Sequence, residues 1–202
     1  MIAIIDYDAG NIRSVEKACR YLGYEPLITR DAKEIAAADH VILPGVGAFG
    51  DCMEHLKKYD LVDVIRDVTG RETPFLGICL GLQLLYPASE ESPGAEGLSI
   101  LQGSITRIPE HPGLKVPNIG WNSCNLLNDG RLFKGIPADP FFYFVHSYFL
   151  TAEDRSTVRA RIDYGGTLID ASVESGNTFA CQFHPEKSGE TGLAVLKNFL
   201  RI

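Results

Sequence analysis

A sharp turn built around one cysteine constrains the fold of this chain more than any other stretch. Residues 74–78 form a short apolar run typical of a buried strand, and residues 80–86 have the spacing of a helix. Between them stands Gly77-Ile78-Cys79-Leu80-Gly81, the cysteine form of the pattern G-x-S-x-G. The glycines permit the turn, which leaves the sulfur at a helix N-terminus, where the helix dipole favours a thiolate. We therefore expect Cys79 to be a nucleophile.

A cysteine packed at the end of a core strand is the alternative, because burial is the usual fate of this residue type. We expect that fate for Cys19, Cys52 and Cys124. The two glycines that flank Cys79 weigh against it there, since they keep the space around the sulfur open.

Strand and helix patterns alternate along the first half of the chain and predict an α/β fold. Such a repeat is typical of a mostly parallel central sheet flanked by helices on both faces. Because chemistry collects at the carboxyl ends of parallel strands, Asp8, Val46 and Cys79 should share one edge. The expected strands lie at 2–5, 26–28, 40–43 and 74–78, and the expected helices at 12–22, 35–38, 49–58, 61–68 and 80–86.

The second half of the chain has a different pattern, with shorter strands separated by glycine and asparagine turns. This pattern predicts antiparallel pairing, followed by an amphipathic helix at 190–202. No linker or repeat divides the sequence, so we expect residues 1–202 to form one domain. The strands in this half are expected at 99–108, 121–126, 141–150, 157–162, 167–174 and 178–183.

Composition and charge weigh against several classes of function. The 202 residues are 45% hydrophobic, enough for a full core, and the net charge of −7 argues against binding to nucleic acid or an anionic membrane. Five cysteines without a C-x-x-C pair or a metal-like cluster predict a reduced, cytoplasmic protein without disulfides or metal. The apolar start at 1–6 is too short for a signal peptide or membrane span. We expect the acidic stretch 89–97 to be a solvated connection.

A cysteine nucleophile needs a base, and His184 stands in the most suitable setting. It follows the strand expected at 178–183 and precedes Pro185 and Glu186, so the carboxylate can hold the imidazole and stabilise its charge. The acid follows the histidine, an order that disfavours an ordinary esterase or peptidase of the α/β-hydrolase fold. We expect a triad of Cys79, His184 and Glu186. The other histidines are expected to be structural or solvent-facing: His40, His55, His111 and His146.

The stretch Pro44-Gly45-Val46-Gly47 follows the third expected strand and supplies a second element of such a site. Its glycines allow a peptide N–H of Val46 or Gly47 to turn toward the sulfur. Together with the N–H of Leu80, it would hold a negatively charged oxygen formed by attack at a carbonyl. A tight turn that needs positive φ would explain the glycines equally well.

The segments 77–83 and 184–186 make the chain resemble the class I (triad-type) glutamine amidotransferases. The stretches 6–11, 44–49, 120–122, 145–148 and 182–188 narrow the resemblance to the glutaminase subunits of imidazole glycerol phosphate synthases. This resemblance implies a flavodoxin-like α/β fold and hydrolysis of glutamine through a Cys79 thioester, with no metal or organic cofactor. It further implies a heterodimer with a cyclase subunit, which uses the ammonia to make imidazole glycerol phosphate and aminoimidazole carboxamide ribotide in histidine biosynthesis.

The same resemblance implies roles for further residues. It assigns contacts with bound glutamine to Gly47, Gln83 and the backbone of His146, Ser147 and Tyr148, and contact with the cyclase to Trp121. Asn11, beyond the first strand, and Lys187, directly after Glu186, should lie on the same active-site edge, so we expect them at the cyclase interface too. Two residues depart from the family pattern, since Asp8 stands where glycine is more frequent and Cys181 where a small residue without a thiol is commoner.

Trp121 is the single tryptophan, at the start of the strand expected at 121–126, and Pro117 and Gly120 favour a loop directly before it. A place in the core is its alternative, because tryptophan is highly buried on average. Exposed tryptophans, in contrast, are enriched at binding hot spots, and the turn-forming flanks favour that interpretation.

Two other functions stay open at this point. The chain could be the glutaminase subunit of another amidotransferase, in anthranilate or pyridoxal phosphate synthesis, although segments 6–11 and 120–122 weigh against it. It could also be a catalytically silent binding subunit that keeps the fold. The complete set of Cys79, His184 and Glu186 weighs against that second alternative.

Overall fold

The computed structural model describes residues 1–127 and 130–202 and is built around an eight-stranded sheet. The first half supplies four parallel strands in the order β2-β1-β3-β4. Helices cover both faces of a parallel sheet, which explains why these strands read as continuous apolar runs. Their bounds are β1 Ile2–Ile5, β2 Pro26–Thr29, β3 His40–Gly45 and β4 Phe75–Cys79.

Six helices pack on the two faces of this sheet in the described part of the chain. The first helix is buried at Val15, Ala18 and Cys19, on the face where the last helix also packs. The helices between β2 and β4 pack on the other face. No helix among the described residues is long and apolar enough to cross a membrane. The helices are α1 Ile12–Tyr21, α2 Ala32–Ala36, α3 Phe49–Lys58, α4 Val62–Gly70, α5 Leu80–Leu84 and α6 Gly189–Phe199.

The second half of the chain completes the large sheet. Strand β12, Thr178–Cys181, pairs in parallel with β4 and antiparallel with β11, Thr167–Ser175. Strands β10, Val158–Tyr164, and β7, Asn125–Leu126, follow at the edge. The predicted fold class is therefore confirmed. Its consequence for the site is that the strand ending in Cys79 lies beside the strand that precedes His184.

Two small sheets lie outside the large one and correct three predicted strands. The stretch predicted as one strand at 141–150 is two strands in different sheets, and the backbone changes sheet at Ser147. The strand predicted at 121–126 begins earlier, at Asn118, so Trp121 lies in its middle. The pairs are β5, Gly103–Arg107, with β9, Tyr148–Ala152, and β6, Asn118–Ser123, with β8, Phe141–His146.

The strand predicted at 99–108 is shorter because its first residues have other hydrogen-bond partners. The backbone N–H of Leu98 donates to Leu84 O, and those of Ile100 and Leu101 donate to Leu85 O. These bonds satisfy carbonyl groups that the end of α5 leaves open, so this stretch closes the helix instead of joining a sheet.

Candidate active site

The turn around Cys79 has the strained backbone that the sequence pattern predicts. Cys79 is the last residue of β4 with φ 55° and ψ −107°, and α5 begins at the next residue. The glycines are required by close packing. A Cβ at Gly81 would lie 2.0 Å from Leu43 O, and one at Gly77 would lie 2.7 Å from Gly81 O. The turn therefore depends on α5 packing directly against the backbone of β3.

The sulfur of Cys79 is nearly buried and has two polar neighbours. The side-chain Nε2 of Gln182 donates to Sγ at 3.6 Å, and Sγ lies 3.8 Å from the backbone oxygen of Val145. The first of these residues follows β12 and the second lies in β8. The sulfur is thus held between the large sheet and a small one.

His184 and Glu186 form a buried pair. Nδ1 of His184 donates to Oε1 of Glu186 at 2.7 Å, and Asn11 Nδ2 donates to the same oxygen at 2.5 Å. Burial disfavours a charge on His184, but the nearby Cys79 and the hydrogen-bonded Glu186 outweigh it and raise the pKa of His184 to about 9. The imidazole is therefore protonated near neutral pH, with Nε2 unpartnered among the described residues.

The backbone of the last third of the chain fixes the position of this pair. The N–H of His184 donates to Tyr143 O at 2.9 Å, and Ser188 Oγ donates to His184 O at 2.7 Å. Ser188 Oγ also accepts from Tyr143 N at 2.9 Å. Strand β8 and the segment after β12 are thereby held together around the imidazole.

One cavity of about 190 Å³ brings the sulfur together with the residues predicted to hold the oxyanion and the substrate. This is below the roughly 300–1,000 Å³ of pockets for drug-sized ligands and suits a molecule of amino-acid size. His184 and Glu186 do not line the cavity, because their side chains are fully buried. The lining is formed by Val46, Gly47, Cys79, Leu80, Gln83, Glu91, Val145, His146, Ser147 and Tyr148.

Glu91 was missed by the sequence analysis, which treated 89–97 as a solvated connection. Its Oε2 accepts from the backbone N–H of Phe49 at 2.8 Å, and Ser92 Oγ accepts from that of Gly50 at 2.9 Å. The acidic loop therefore caps the N-terminus of α3, where the helix dipole stabilises a carboxylate. The same contact places Glu91 in the cavity wall.

His146 is buried and neutral. Burial lowers its pKa to about 4. Its Nδ1 donates to Tyr148 O at 2.9 Å, and its Nε2 accepts from Asn118 Nδ2 at 3.2 Å. Both ring nitrogens are thus occupied by neighbours, which fits the structural role expected for this ring.

The three residues assigned to a partner surface lie in different settings. Asn11 is bound to Glu186, as described above, and Lys187 is exposed directly after that carboxylate. Trp121 is 54% exposed, so the alternative that it lies in the core is wrong. Its ring packs edge-on against Tyr143, with 6.1 Å between ring centroids, on the small sheet next to the cavity.

Comparison with known proteins decides the family. A sequence model described as glutamine amidotransferase class-I matches residues 3–202. This chain belongs to that family. Curated relatives of the amidotransferase include the imidazole glycerol phosphate synthase subunit HisH of Thermosynechococcus vestitus, 49% identical over 100% of this chain and 96% of the relative. The HisH subunit of Moorella thermoacetica is 50% identical over 98% of this chain and 93% of its own.

Solved structures agree on the fold. One, described as a crystal structure of glutamine amidotransferase, matches with a TM-score of 0.78 at 18% identity, covering 100% of this chain and 98% of its own. The PurLQS structure from Thermotoga maritima matches with a TM-score of 0.77 at 22% identity, covering 99% of this chain and 97% of its own. At these identities the likeness shows the amidotransferase fold alone.

The two departures from the family pattern have physical explanations in this amidotransferase. Asp8 has φ 63°, a region that aspartate tolerates better than most residues, and its carboxylate is bound by Arg30 Nη2 at 2.8 Å and by the Tyr59 hydroxyl. These bonds lower the pKa of Asp8. Cys181 is fully buried, and burial raises its pKa well above the usual range, so it stays a thiol.

Proposed function

We propose that this chain is the glutaminase subunit of an imidazole glycerol phosphate synthase. It hydrolyses glutamine and passes the ammonia to a cyclase subunit in histidine biosynthesis. The observation that carries the proposal is that Cys79 lines a small cavity in a class-I amidotransferase fold, while the buried pair of His184 and Glu186 follows the strand beside it. Relatives named as this subunit are about half identical over nearly the whole chain.

Binding places the carboxamide carbon of glutamine next to Cys79 Sγ. Among the described residues that line the cavity, Glu91 is the carboxylate, and we assign it to the α-ammonium group of the substrate. Gln83 and the backbone of His146, Ser147 and Tyr148 surround the rest of the molecule.

Attack by the thiolate forms a tetrahedral oxyanion. The N–H of Leu80 lies in the first turn of α5, where N–H groups have no acceptor within the helix, and is one donor to it. The carbonyl of Val46 lies 3.8 Å from Cys52 Sγ. Because the N–H and C=O of a trans peptide point in opposite directions, the N–H of Gly47 points away from Cys52 and is our choice for the second donor. Loss of one such donor typically lowers the rate by roughly 10²–10³-fold.

His184 moves the protons. Its raised pKa means that the imidazolium already holds the proton that the departing ammonia requires. Collapse of the oxyanion then leaves a thioester on Cys79 and a neutral His184, which activates water for hydrolysis. Glu186 holds the imidazole in the required orientation throughout.

The cyclase binds at the small sheet beside the cavity. Three large apolar residues of β6 and β8 are exposed: Ile119 by 61%, Trp121 by 54% and Phe141 by 57%. An exposed apolar patch of this kind is typical of a protein interface. We place Lys187 and Asn11 at its border, on the edge of the sheet that carries the triad. The residues 1–202 act as one domain in this assembly, since the large sheet includes both halves of the chain. All five cysteines are free, in keeping with a cytoplasmic location.

The test is a coupled assay with a purified cyclase subunit. Glutamate release that rises on addition of the cyclase, and formation of imidazole glycerol phosphate with glutamine as the nitrogen source, are the expected results. Glutamate release that responds instead to an anthranilate or pyridoxal phosphate synthase would assign the chain to a sister enzyme. No glutamate release in any mixture would mean a silent binding subunit.

A further inference from the structure

A buried glutamine outside the triad contacts the nucleophile. Gln182 is fully buried, and its backbone N–H donates to Ala171 O at 2.9 Å, which anchors it to β11. Its side-chain Nε2 donates to Cys79 Sγ at 3.6 Å, while its Oε1 accepts from Gln83 Nε2 at 3.0 Å. The side chain therefore links the sulfur to a residue of the cavity wall.

The direction of this hydrogen-bonded chain is fixed from its far end. Gln83 Nε2 also donates to the backbone oxygen of Tyr148 at 3.0 Å, and a carbonyl oxygen can only accept. Gln83 must therefore turn its NH₂ group to Tyr148, and its second N–H reaches Gln182 Oε1. Gln182 is left with its own NH₂ group facing the sulfur. The opposite amide orientations would place oxygen against oxygen.

We propose that Gln182 is a further catalytic residue, whose side-chain amide donates a hydrogen bond that holds Cys79 Sγ as a thiolate. This inference rests on the proposed glutaminase function for its kinetic consequences. A hydrogen bond to an ionised acceptor is stronger than one to a neutral acceptor, so this amide favours the anion over the thiol. The amide makes only one hydrogen bond to the sulfur, and that bond is long. The sulfur therefore stays free to transfer its charge to the oxyanion during attack.

The same bonds determine what Gln83 offers the substrate. Both N–H groups of its amide are donated to Tyr148 and Gln182. Its carbonyl oxygen is the group left for the cavity, and this oxygen contacts a donor on glutamine, either the α-ammonium or the carboxamide NH₂.

The test compares Gln182→Met with the wild type and with Ser172→Ala. Methionine keeps the length of the side chain but removes the donor. Ser172 is a fully buried control in the neighbouring strand, and its hydroxyl donates to Ala180 O at 2.9 Å without reaching the sulfur. Alkylation of Cys79 by iodoacetamide is followed across pH by mass spectrometry of its peptide. Steady-state kinetics with the cyclase and a thermal melt complete the set.

For Gln182→Met we expect the pH of half-maximal alkylation to rise by about one unit and kcat for glutamine to fall about 10- to 100-fold, as loss of a hydrogen bond to a charged group predicts. KM should change less than about threefold. Ser172→Ala should show neither change. The titratable groups around the sulfur and the cavity are the same in each protein, so the difference isolates the amide; they are Tyr7, Glu91, His146, Cys181 and His184.

An alkylation profile and kcat equal to those of the wild type, in a folded Gln182→Met protein, would overturn the inference. If that variant does not fold, Gln182→Glu serves instead, because it keeps the acceptor for Gln83 and puts an oxygen against the sulfur. A wild-type alkylation rate in Gln182→Glu would likewise overturn the inference. If the wild type releases no glutamate, the proposed function fails, while the alkylation profile still tests the hydrogen bond.

Discussion

At the scale of single residues, two buried histidines near the cavity carry different charges because their partners differ. His184 faces a carboxylate and the sulfur, which raise its pKa to about 9 in spite of burial. His146 is held by an amide and a backbone carbonyl, neither of which is charged, and burial outweighs the carbonyl and lowers its pKa to about 4. His146 ends β8 and His184 follows β12, and their partners, rather than their places in the strands, set the difference in pKa.

The first prediction concerns the nucleophile. Cys79→Ala should lower glutamine-dependent turnover by at least about 10³-fold, since no thioester can form. Turnover with free ammonia should survive in the complex, because the cyclase chemistry does not use this sulfur. Glutamate release is the measurement, and wild-type release from Cys79→Ala would refute the assignment.

The second prediction concerns the base. His184→Ala should be nearly as severe as Cys79→Ala, because members of a triad act as a unit. Glu186→Gln should be milder, since the imidazole loses a charge partner but keeps a hydrogen-bond acceptor. Glutamate release measures both, with Tyr21→Ala, at the exposed far end of α1, as a control. An inactive His146→Gln beside an active His184→Ala would mean that the wrong histidine has been chosen.

The third prediction is a pH dependence of stability due to His146. Its pKa is about 4 in the folded protein and near 6.5 when unfolded, so the unfolded chain binds the proton more readily. This contribution to stability is present above pH 6.5 and is lost as the pH falls toward 4, in total on the order of 3 kcal/mol. Denaturant unfolding of the wild type and His146→Gln between pH 7 and 4 measures it. Parallel pH curves for the two proteins would contradict the prediction.

At the scale of elements, the site depends on how closely α5 approaches β3. The helix is only five residues long, so its own hydrogen bonds contribute little, and its contact with the neighbouring strand holds it. Its first residue, Leu80, carries the N–H that we propose as an oxyanion donor, and its fourth, Gln83, orients Gln182. A small displacement of this helix would therefore disturb both the nucleophile and its supports.

The fourth prediction tests that contact. In Gly81→Ala the added methyl group would lie 2.0 Å from Leu43 O, so α5 must move, and the free energy of unfolding should fall by about 3 kcal/mol or more with loss of activity. Gly70→Ala at the end of α4 meets no atom within 4 Å and is the matched control. Its stability should be unchanged or rise by up to about 1 kcal/mol. Equal melting temperatures for Gly81→Ala and Gly70→Ala would contradict the close approach of α5 to β3.

At the scale of the whole molecule, the small sheet of β6 and β8 connects the proposed partner surface to the site. Its outer face carries Trp121 and Tyr143, while the backbone oxygens of Tyr143 and Val145 contact His184 N–H and Cys79 Sγ. A partner bound to the outer face therefore bears directly on the strand that positions the catalytic groups.

The fifth prediction concerns this surface. Trp121→Ala should weaken cyclase binding by about 2 kcal/mol or more, as truncation of a hot-spot tryptophan does. The melting temperature of the isolated chain should barely change, because the side chain is half exposed. Equilibrium titration and a thermal melt measure the two effects. Tyr21→Ala is the control. Tyr21 is 80% exposed at the C-terminal end of α1, and its truncation should leave the affinity for the cyclase unchanged. Unchanged affinity of Trp121→Ala would remove this residue from the interface.

The sequence was informative where function depends on a short local pattern. The glycines around Cys79 and the spacing of His184 and Glu186 predicted a turn and a pair that the fold brings to adjacent strand ends. Glu91 and Gln182 escaped notice because their importance comes from contacts with residues 42 and 103 positions away, which no local pattern reveals. The change of sheet at Ser147 was not predicted either, because the aromatic residues on both sides of it form one continuous strand-like pattern.

The insertion of β12 between β4 and β11 also sets the order in which reactivity can arise during synthesis. Gln182 leaves the ribosome 103 residues after Cys79, a delay of roughly 5–20 seconds at typical elongation rates. Throughout that time the nascent chain has its thiol but neither the amide nor the imidazole that would activate it. The groups proposed to activate Cys79 are therefore complete only after β12 and the residues that follow it have been made.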